Sequence, residues 1–232
     1  MAIKAIVTGA TGMVGEGVVH ECINHPGVES VLIITRKPTG IQHSKVKEII
    51  HADFSDFTAI KQSLTGFNAA YLCMGTTSFL VSEETYSHIT YDLTLALARP
   101  LVELNPGITL TYVSGAGTDS TEQGRLMWTR VKGKTENALL ELPAKQVYMF
   151  RAGGITPTKG LKNTYTLYKV LNPILPLMRK LLPKQFSSLK EIGLAMIHVT
   201  KNGYTQSILE VTDIVKLAQD EGETLNELKL DN

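Results

Sequence analysis

The sequence predicts an α/β protein: a doubly wound parallel sheet with helices on both faces, followed by a small, mostly helical C-terminal lid region. Three observations predict it. A short apolar run near the amino terminus leads into a three-glycine turn and then directly into apolar residues at helical spacing. Short apolar runs then alternate with helical patterns as far as Phe150, a rhythm that implies parallel strands joined by right-handed crossovers. From Thr156 onward the pattern gives way to a Leu-rich region broken by prolines. The expected division is residues 1–155 for the sheet domain and 156–232 for the region packed on it.

The first element is Ile3-Lys4-Ala5-Ile6-Val7-Thr8, which runs into Gly9-Ala10-Thr11-Gly12-Met13-Val14-Gly15. In a strand-loop-helix unit of this kind, the first glycine allows the tight turn. The second lets backbone amides approach a pyrophosphate, and the third lets the helix pack close to the strand. Val14, Val18, Val19 and Ile23 continue as a helix whose positive end would receive the phosphates. Gly9, Thr11, Gly12, Met13, Val14 and Gly15 are therefore candidate nucleotide-binding residues. The alternative is a glycine turn that serves packing alone.

Asn24-His25-Pro26-Gly27 stops that helix, and Val31-Leu32-Ile33-Ile34 is a second buried strand ending at Thr35-Arg36-Lys37. In a dinucleotide unit this strand end faces the adenosine ribose. An acidic residue there accepts from the 2′-hydroxyl and repels a 2′-phosphate, whereas Arg36 and Lys37 do the reverse. NADP(H) is thus expected in preference to NAD(H), unless the pair is only a solvated basic turn. The third strand, Val46 to Ile50, leads to Asp53 and Phe54. Asp53 can accept from an adenine amino group with Phe54 covering the ring, or it can simply hold its own turn.

Asn68 to Cys73 supplies a fourth strand, with Cys73-Met74-Gly75 as an exit where backbone passes close to a ligand. A helix is expected from about Ser82, carrying Tyr86, Ile89, Leu93 and Leu97 and ending before Pro100. The fifth strand, Ile108 to Val113, ends at Ser114; the next helix carries Trp128, Val131, Lys132 and Thr135 and closes near Leu142-Pro143. Gln146 to Phe150 is the sixth strand. Ligands in such sheets bind at the carboxyl ends of the strands, where Gly9, Arg36, Gly75, Ser114 and Gly153 fall.

In the remaining region Ser188 and Glu191 form a capping-box start for a helix that Gly203 ends, and a last helix begins after Thr212. No acidic residue lies between Pro143 and Lys190, while basic ones are frequent. Such a segment can receive an anionic substrate or touch a membrane surface, or it can be a lid with a solvated basic face. The prolines favour the lid.

Bulk properties narrow the classes. The chain has 232 residues and a formal net charge of +1, which gives no reason to expect nucleic acid. Its two cysteines, Cys22 and Cys73, form neither a disulfide framework nor a metal-ligand spacing, which fits a reducing compartment. No metal site is expected. The apolar stretch Leu161 to Leu182 is interrupted by Lys169, Pro173, Pro176 and Arg179, so no membrane span is expected there. With no leader expected before the first strand, the expected location is cytoplasmic.

The order of features resembles the extended or atypical branch of the short-chain dehydrogenase/reductase superfamily, with its Rossmann fold and epimerase/dehydratase-like cofactor loop. Within it the chain looks most like the group that includes the human Tat-interacting protein. The residues that carry this are Thr8 to Gly15, Cys73-Met74-Gly75-Thr76-Thr77, Ser114-Gly115-Ala116-Gly117, Val131 to Glu136 and Phe150-Arg151-Ala152-Gly153. Ala152 replaces the proline often found there. The resemblance implies a small-molecule carbonyl or alcohol substrate, Ser114 and Lys132 as catalytic residues, Lys132 also on the nicotinamide ribose, and a possible homodimer. It also implies a general-acid tyrosine four residues before Lys132, and that position holds Trp128. Indole has a donor N–H but no accessible proton to exchange, so it cannot do the tyrosine's work. Tyr86, Tyr91, Tyr165 and Tyr168 are alternative donors, each also explicable as a core or lid aromatic. Two functions follow: an oxidoreductase with an unusual proton source, or an NADP(H)-binding regulatory or scaffold protein without turnover.

Overall fold

A computed structural model describes residues 2–163 and 175–230. Six parallel strands form the bulk of the sheet: β1 (Ile3–Thr8), β2 (Val28–Thr35), β3 (Val46–Ile50), β4 (Ala69–Leu72), β5 (Thr109–Val113) and β6 (Gln146–Phe150). Their spatial order is β3-β2-β1-β4-β5-β6, and a two-residue strand β9 (Ile208–Leu209) adds a seventh at the β6 edge. The order reverses between β1 and β4, which pair from Ala5↔Ala69 to Thr8↔Leu72. A crevice must open at that reversal, because the connections leaving the two strands turn to opposite faces.

Each face carries its own apolar core. On one side α1 (Met13–Asn24), α6 (Leu189–Asn202) and α7 (Val211–Leu230) cover Ala5, Val7, Val31 and Ile33; on the other α3 (Leu93–Leu104) and α4 (Met127–Leu140) cover Ile6, Ile34, Leu72 and Leu110. The central strands read as continuous apolar runs because both of their faces are buried. The C-terminal helices are tied in by a polar hub. The buried Glu221 of α7 accepts from His25 Nε2 and His198 Nδ1 at 3.0 Å each, and from Lys201.

Several elements differ from the sequence expectation. The helix expected to end before Pro100 starts as the short α2 (Glu83–Ser87), passes through a π-helical turn at His88–Asp92, and continues as α3 to Leu104, with Pro100 inside it. Proline there removes only the bond to the Ala96 carbonyl, and burial of Leu97, Ala98, Leu101 and Val102 outweighs that loss. Two three-residue strands, β7 (Gly154–Thr156) and β8 (Phe186–Ser188), pair in a separate parallel ribbon. They join the segment after β6 to the start of α6, and are too short to read from periodicity. A further short helix, α5 (Leu175–Leu181), precedes β8. The expected capping box is present: Ser188 Oγ accepts from Glu191 N at 3.2 Å and Glu191 Oε2 accepts from Ser188 N at 2.7 Å. Gly203 ends the helix at φ 72°.

Candidate active site

The turn after β1 is built by its glycines. Gly9 has φ +71°, and a methyl at its Cα would collide with the Cys73 carbonyl oxygen across the crevice. A methyl at Gly15 would strike the Gly9 carbonyl, so Gly15 lets the first turn of α1 fold onto the loop. Gly12 donates its N–H to Gly9 O at 2.8 Å and stands at the N-cap of α1. No side chain caps that helix start, so its first N–H groups face the crevice as donors beside the positive helix end.

A cavity of about 500 Å³ lies along this crevice. Its floor is Gly9, Thr11, Gly12, Met13 and Val14 from the loop and α1. One end is Ile34, Thr35, Arg36 and Phe54; the middle is Cys73, Met74, Gly75 and Thr76; the far end is Val113, Ser114, Lys132 and Ile155. The structure therefore brings together most of the residues singled out from sequence. Three lie outside the lining. Gly15 acts through packing. Lys37 leaves the wall at the mouth, its carbonyl accepting from Thr35 Oγ1 at 2.8 Å. Asp53 Oδ1 accepts from Ser55 N at 2.8 Å, the turn-holding alternative; the Ser55 hydroxyl and amide hydrogen bonds lower its pKa. Sequence reading missed Ile34, Thr35, Thr76, Val113 and Ile155. The first four lie within two residues of chosen ones, whereas Ile155 arrives through the β7–β8 ribbon.

The chemistry available is concentrated at the far end. Ser114 is buried and its Oγ has no hydrogen-bond partner among the described residues. A buried hydroxyl left unpaired costs about 1–3 kcal/mol; of the six described hydroxyls in that condition, Ser114 alone lines the cavity. Lys132 reaches in from α4, its Nζ 3.3 Å from Val113 O and 5.8 Å from the Tyr112 ring centre. Burial pushes the Lys132 amine down to about 8, with the Glu136 carboxylate opposing part of that change. Burial pushes the Cys73 thiol up to about 12, which leaves it an un-ionised apolar wall.

Trp128, one helical turn before Lys132, faces a neighbouring cavity of about 530 Å³. Gly115 and Ala116, Gly153 and Gly154, and Lys184 and Glu210 complete much of its lining. The indole edge sits 3.4 Å from where a Gly115 side chain would begin. The two cavities adjoin along the backbone at Ser114–Gly115 and Gly154–Ile155.

Of the alternative tyrosines, Tyr86 is buried away from both cavities, and Tyr91 lies under Lys134, whose Nζ is 4.4 Å from the ring centre. Tyr165 and Tyr168 lie outside the described residues, as does Lys169. Glu16, in the first turn of α1, accepts from Lys162 N at 2.8 Å and Asn163 N at 2.7 Å, tying the chain beyond β7 to the helix that floors the cavity.

A glycine floor shaped for close backbone approach, an uncapped helix start and an orphaned hydroxyl at the opposite end fit a long phosphate-bearing ligand laid across the crevice. Among the described residues no helix is long and apolar enough to cross a membrane.

Comparison with known proteins agrees with this geometry. The chain is 28% identical over 171 residues to leucinostatins biosynthesis cluster protein T of Purpureocillium lilacinum, a match taking in 70% of this chain and 61% of that one, less than two thirds of the relative's length. It is 25% identical over 157 residues to the protein FMP52, mitochondrial, of Candida albicans, covering 66% of this chain and 67% of that one. The crystal structure of the Bordetella bronchiseptica enzyme WbmF in complex with NAD+ superposes with a TM-score of 0.64 at 15% identity, covering 95% of this chain and 78% of that one, a likeness of fold. The cytoplasmic expectation is corrected here. The Candida relative and three more FMP52 proteins are named mitochondrial, which points away from a cytoplasmic location. The model of the family described as "NAD dependent epimerase/dehydratase family" matches residues 5–121, from the first strand through the fifth and beyond Ser114. With half of its length matched and the nicotinamide-cofactor fold in place, the chain belongs to the NAD dependent epimerase/dehydratase family.

Proposed function

We propose that the chain is an NADP(H)-dependent oxidoreductase of this family, acting on a small carbonyl or alcohol. The dinucleotide lies in the first cavity and the substrate in the second. The observation that carries the reading is the buried, unpartnered Ser114 Oγ where the two cavities meet. A substrate oxygen placed there satisfies the hydroxyl, and that hydrogen bond orients the reacting carbon.

The bound cofactor supplies hydride chemistry; this chain's residues supply position and charge. The first N–H groups of α1 take the pyrophosphate. Arg36, exposed at the mouth and without an ion-pair partner among the described residues, takes a 2′-phosphate, which supports NADP(H) over NAD(H). Phe54 covers the adenine end, and Lys132 holds the ribose near Ser114. Trp128 stands where the catalytic members of the family resembled carry their tyrosine, and its indole forms a wall of the substrate cavity.

Calorimetric titration with NADPH and with NADH, at one pH and one salt concentration, tests the site. NADPH binding tighter than NADH, with the preference removed in Arg36→Ala, supports the reading; no binding of either dinucleotide contradicts it. A second reading, a cofactor-binding regulatory protein without turnover, is favoured by one observation: Trp128 donates through an indole N–H that does not titrate as a catalytic acid. It predicts the same titrations and no hydride transfer.

A further inference from the structure

An oxidoreductase that reduces a carbonyl must deliver a proton to the oxygen as the carbon receives hydride. Among the described residues the two cavities offer few candidates. In the second, Glu210 is paired with Arg151 at 3.4 Å, Lys184 is exposed to solvent and Thr212 offers only a hydroxyl; in the first the choice is as narrow. Thr11, Thr35, Thr76 and Ser114 are hydroxyls that do not titrate near neutrality, Cys73 holds its proton far above it, and a guanidinium such as Arg36 does not deprotonate in proteins. Tyr86, Tyr91 and Tyr112 do not line it. Lys132 does. Its ammonium has three N–H donors, and the contact to Val113 O at 3.3 Å is its one hydrogen bond among the described residues. The residue after Val113 is Ser114, so the amine reaches the strand end where the orphaned hydroxyl waits for a substrate oxygen.

We propose that Lys132 is itself the proton donor and acceptor of the reaction, taking over the role left open by Trp128, while Ser114 holds the substrate oxygen. The proposal rests on the oxidoreductase reading above. In the reducing direction the carbonyl carbon gains a hydride from a reduced nicotinamide dinucleotide, which leaves oxidised. The C=O π pair moves to oxygen, which takes a proton from Lys132 Nζ, and the neutral amine is reprotonated from water. Oxidation of the alcohol reverses each transfer and requires the neutral amine at the start.

The charges around the amine are consistent with this use. On its own helix Glu136 lies one turn away, occupied by Arg151. From β5 the Tyr112 ring lies beneath it, from the end of β4 Cys73 stays un-ionised, and from the end of β2 Arg36 lines the opposite end of the cavity. Among the described residues no carboxylate lines the first cavity, so burial governs the amine and brings it to about 8, where both proton states are accessible.

Two measurements test the proposal. The first needs no cofactor: the 15N resonance of the Lys132 amine, assigned by its loss in Lys132→Met, is followed against pH. A midpoint near 8 supports the proposal; a midpoint at the ordinary lysine value overturns it. The second compares hydride transfer from NADPH in the intact protein with Lys132→Arg, which keeps the cation but yields no proton. The expected result is a loss of about 10²-fold or more in rate, with NADPH affinity within a few-fold, and a reductive rate that in the unaltered protein falls as pH rises through about 8. A Lys132→Arg variant with an unchanged rate, or a loss that appears instead in Tyr165→Phe or Tyr168→Phe, overturns the proposal while leaving the oxidoreductase reading intact. Absence of any hydride transfer in the unaltered protein removes that reading and the proposal with it.

Discussion

The guanidinium of Arg151 grips the carboxylate of Glu136: Nε lies 3.2 Å from each oxygen and Nη2 2.6 Å from one of them, with Glu136 fully buried. Arg151 follows β6 directly, and Glu136 is one turn beyond Lys132 on α4. The same guanidinium donates to Ser120 Oγ at 2.6 Å, so one residue fixes the height of α4 and the loop that leads from Ser114 to it. Replacing Arg151 with Ala leaves a buried carboxylate without its partner. The expected loss is about 3–5 kcal/mol of stability, measured by urea unfolding. The double variant Glu136→Met, Arg151→Met should recover most of it, and a single-variant loss under about 1 kcal/mol would show that the pair is not needed.

Arg36 should govern cofactor choice. A charge-assisted contact to a phosphate contributes about 1.5–3 kcal/mol. Arg36→Ala is therefore expected to weaken NADPH by about 10- to 100-fold and to leave NADH nearly unchanged, as read from paired Kd values. Equal weakening of both would mean that Arg36 supports the loop and does not read the 2′-phosphate.

Gly9→Ala should disable the crevice more than the fold. The new methyl meets the Cys73 carbonyl and the residue keeps a left-handed φ, so the loop must shift away from β4. Dinucleotide affinity is expected to fall by at least about tenfold, with the cooperative unfolding transition retained. Undiminished affinity would contradict the role given to the loop.

How far such features can be read in a sequence depends on the range of the forces behind them. Gly9, Gly12 and Gly15 are legible because each is demanded by backbone within a few residues or by one crossing strand. The Ser188–Glu191 capping box is legible for the same reason. Pro100 misleads because the burial of Leu97 and Leu101, a tertiary effect, outweighs its local cost. The second cavity is assembled from the ends of β5 and β6, the start of α4 and the segments beside β8 and β9, and no spacing in one segment announces it. Asp53 shows the opposite limit: its residue type suits a ligand and a turn equally, and the hydrogen bonds to Ser55 show the turn.

Glu221 sets the response to acid. Burial alone would raise its pKa, but the hydrogen bonds from His198, His25 and Lys201 outweigh it and hold the carboxyl well below the usual range. An unfolded carboxyl takes up a proton near pH 4.3, roughly. Because the folded group does so only at much lower pH, its contribution is full above that value and is lost as the pH falls below it. Glu221→Gln should be less stable at pH 7 and show a flatter decline between about pH 5 and 3, followed by thermal unfolding. A decline as steep as in the unaltered protein would place the acid sensitivity elsewhere.

The central claim is that this cavity carries out hydride transfer. The most direct test is incubation of the protein with C4-deuterated NADPH and a panel of small carbonyls, with products read by mass spectrometry. The account predicts stereospecific appearance of deuterium on a carbinol carbon, abolished in Ser114→Ala. NADPH that binds tightly yet transfers no deuterium to any member of a broad panel would contradict it and leave a cofactor-binding protein without turnover.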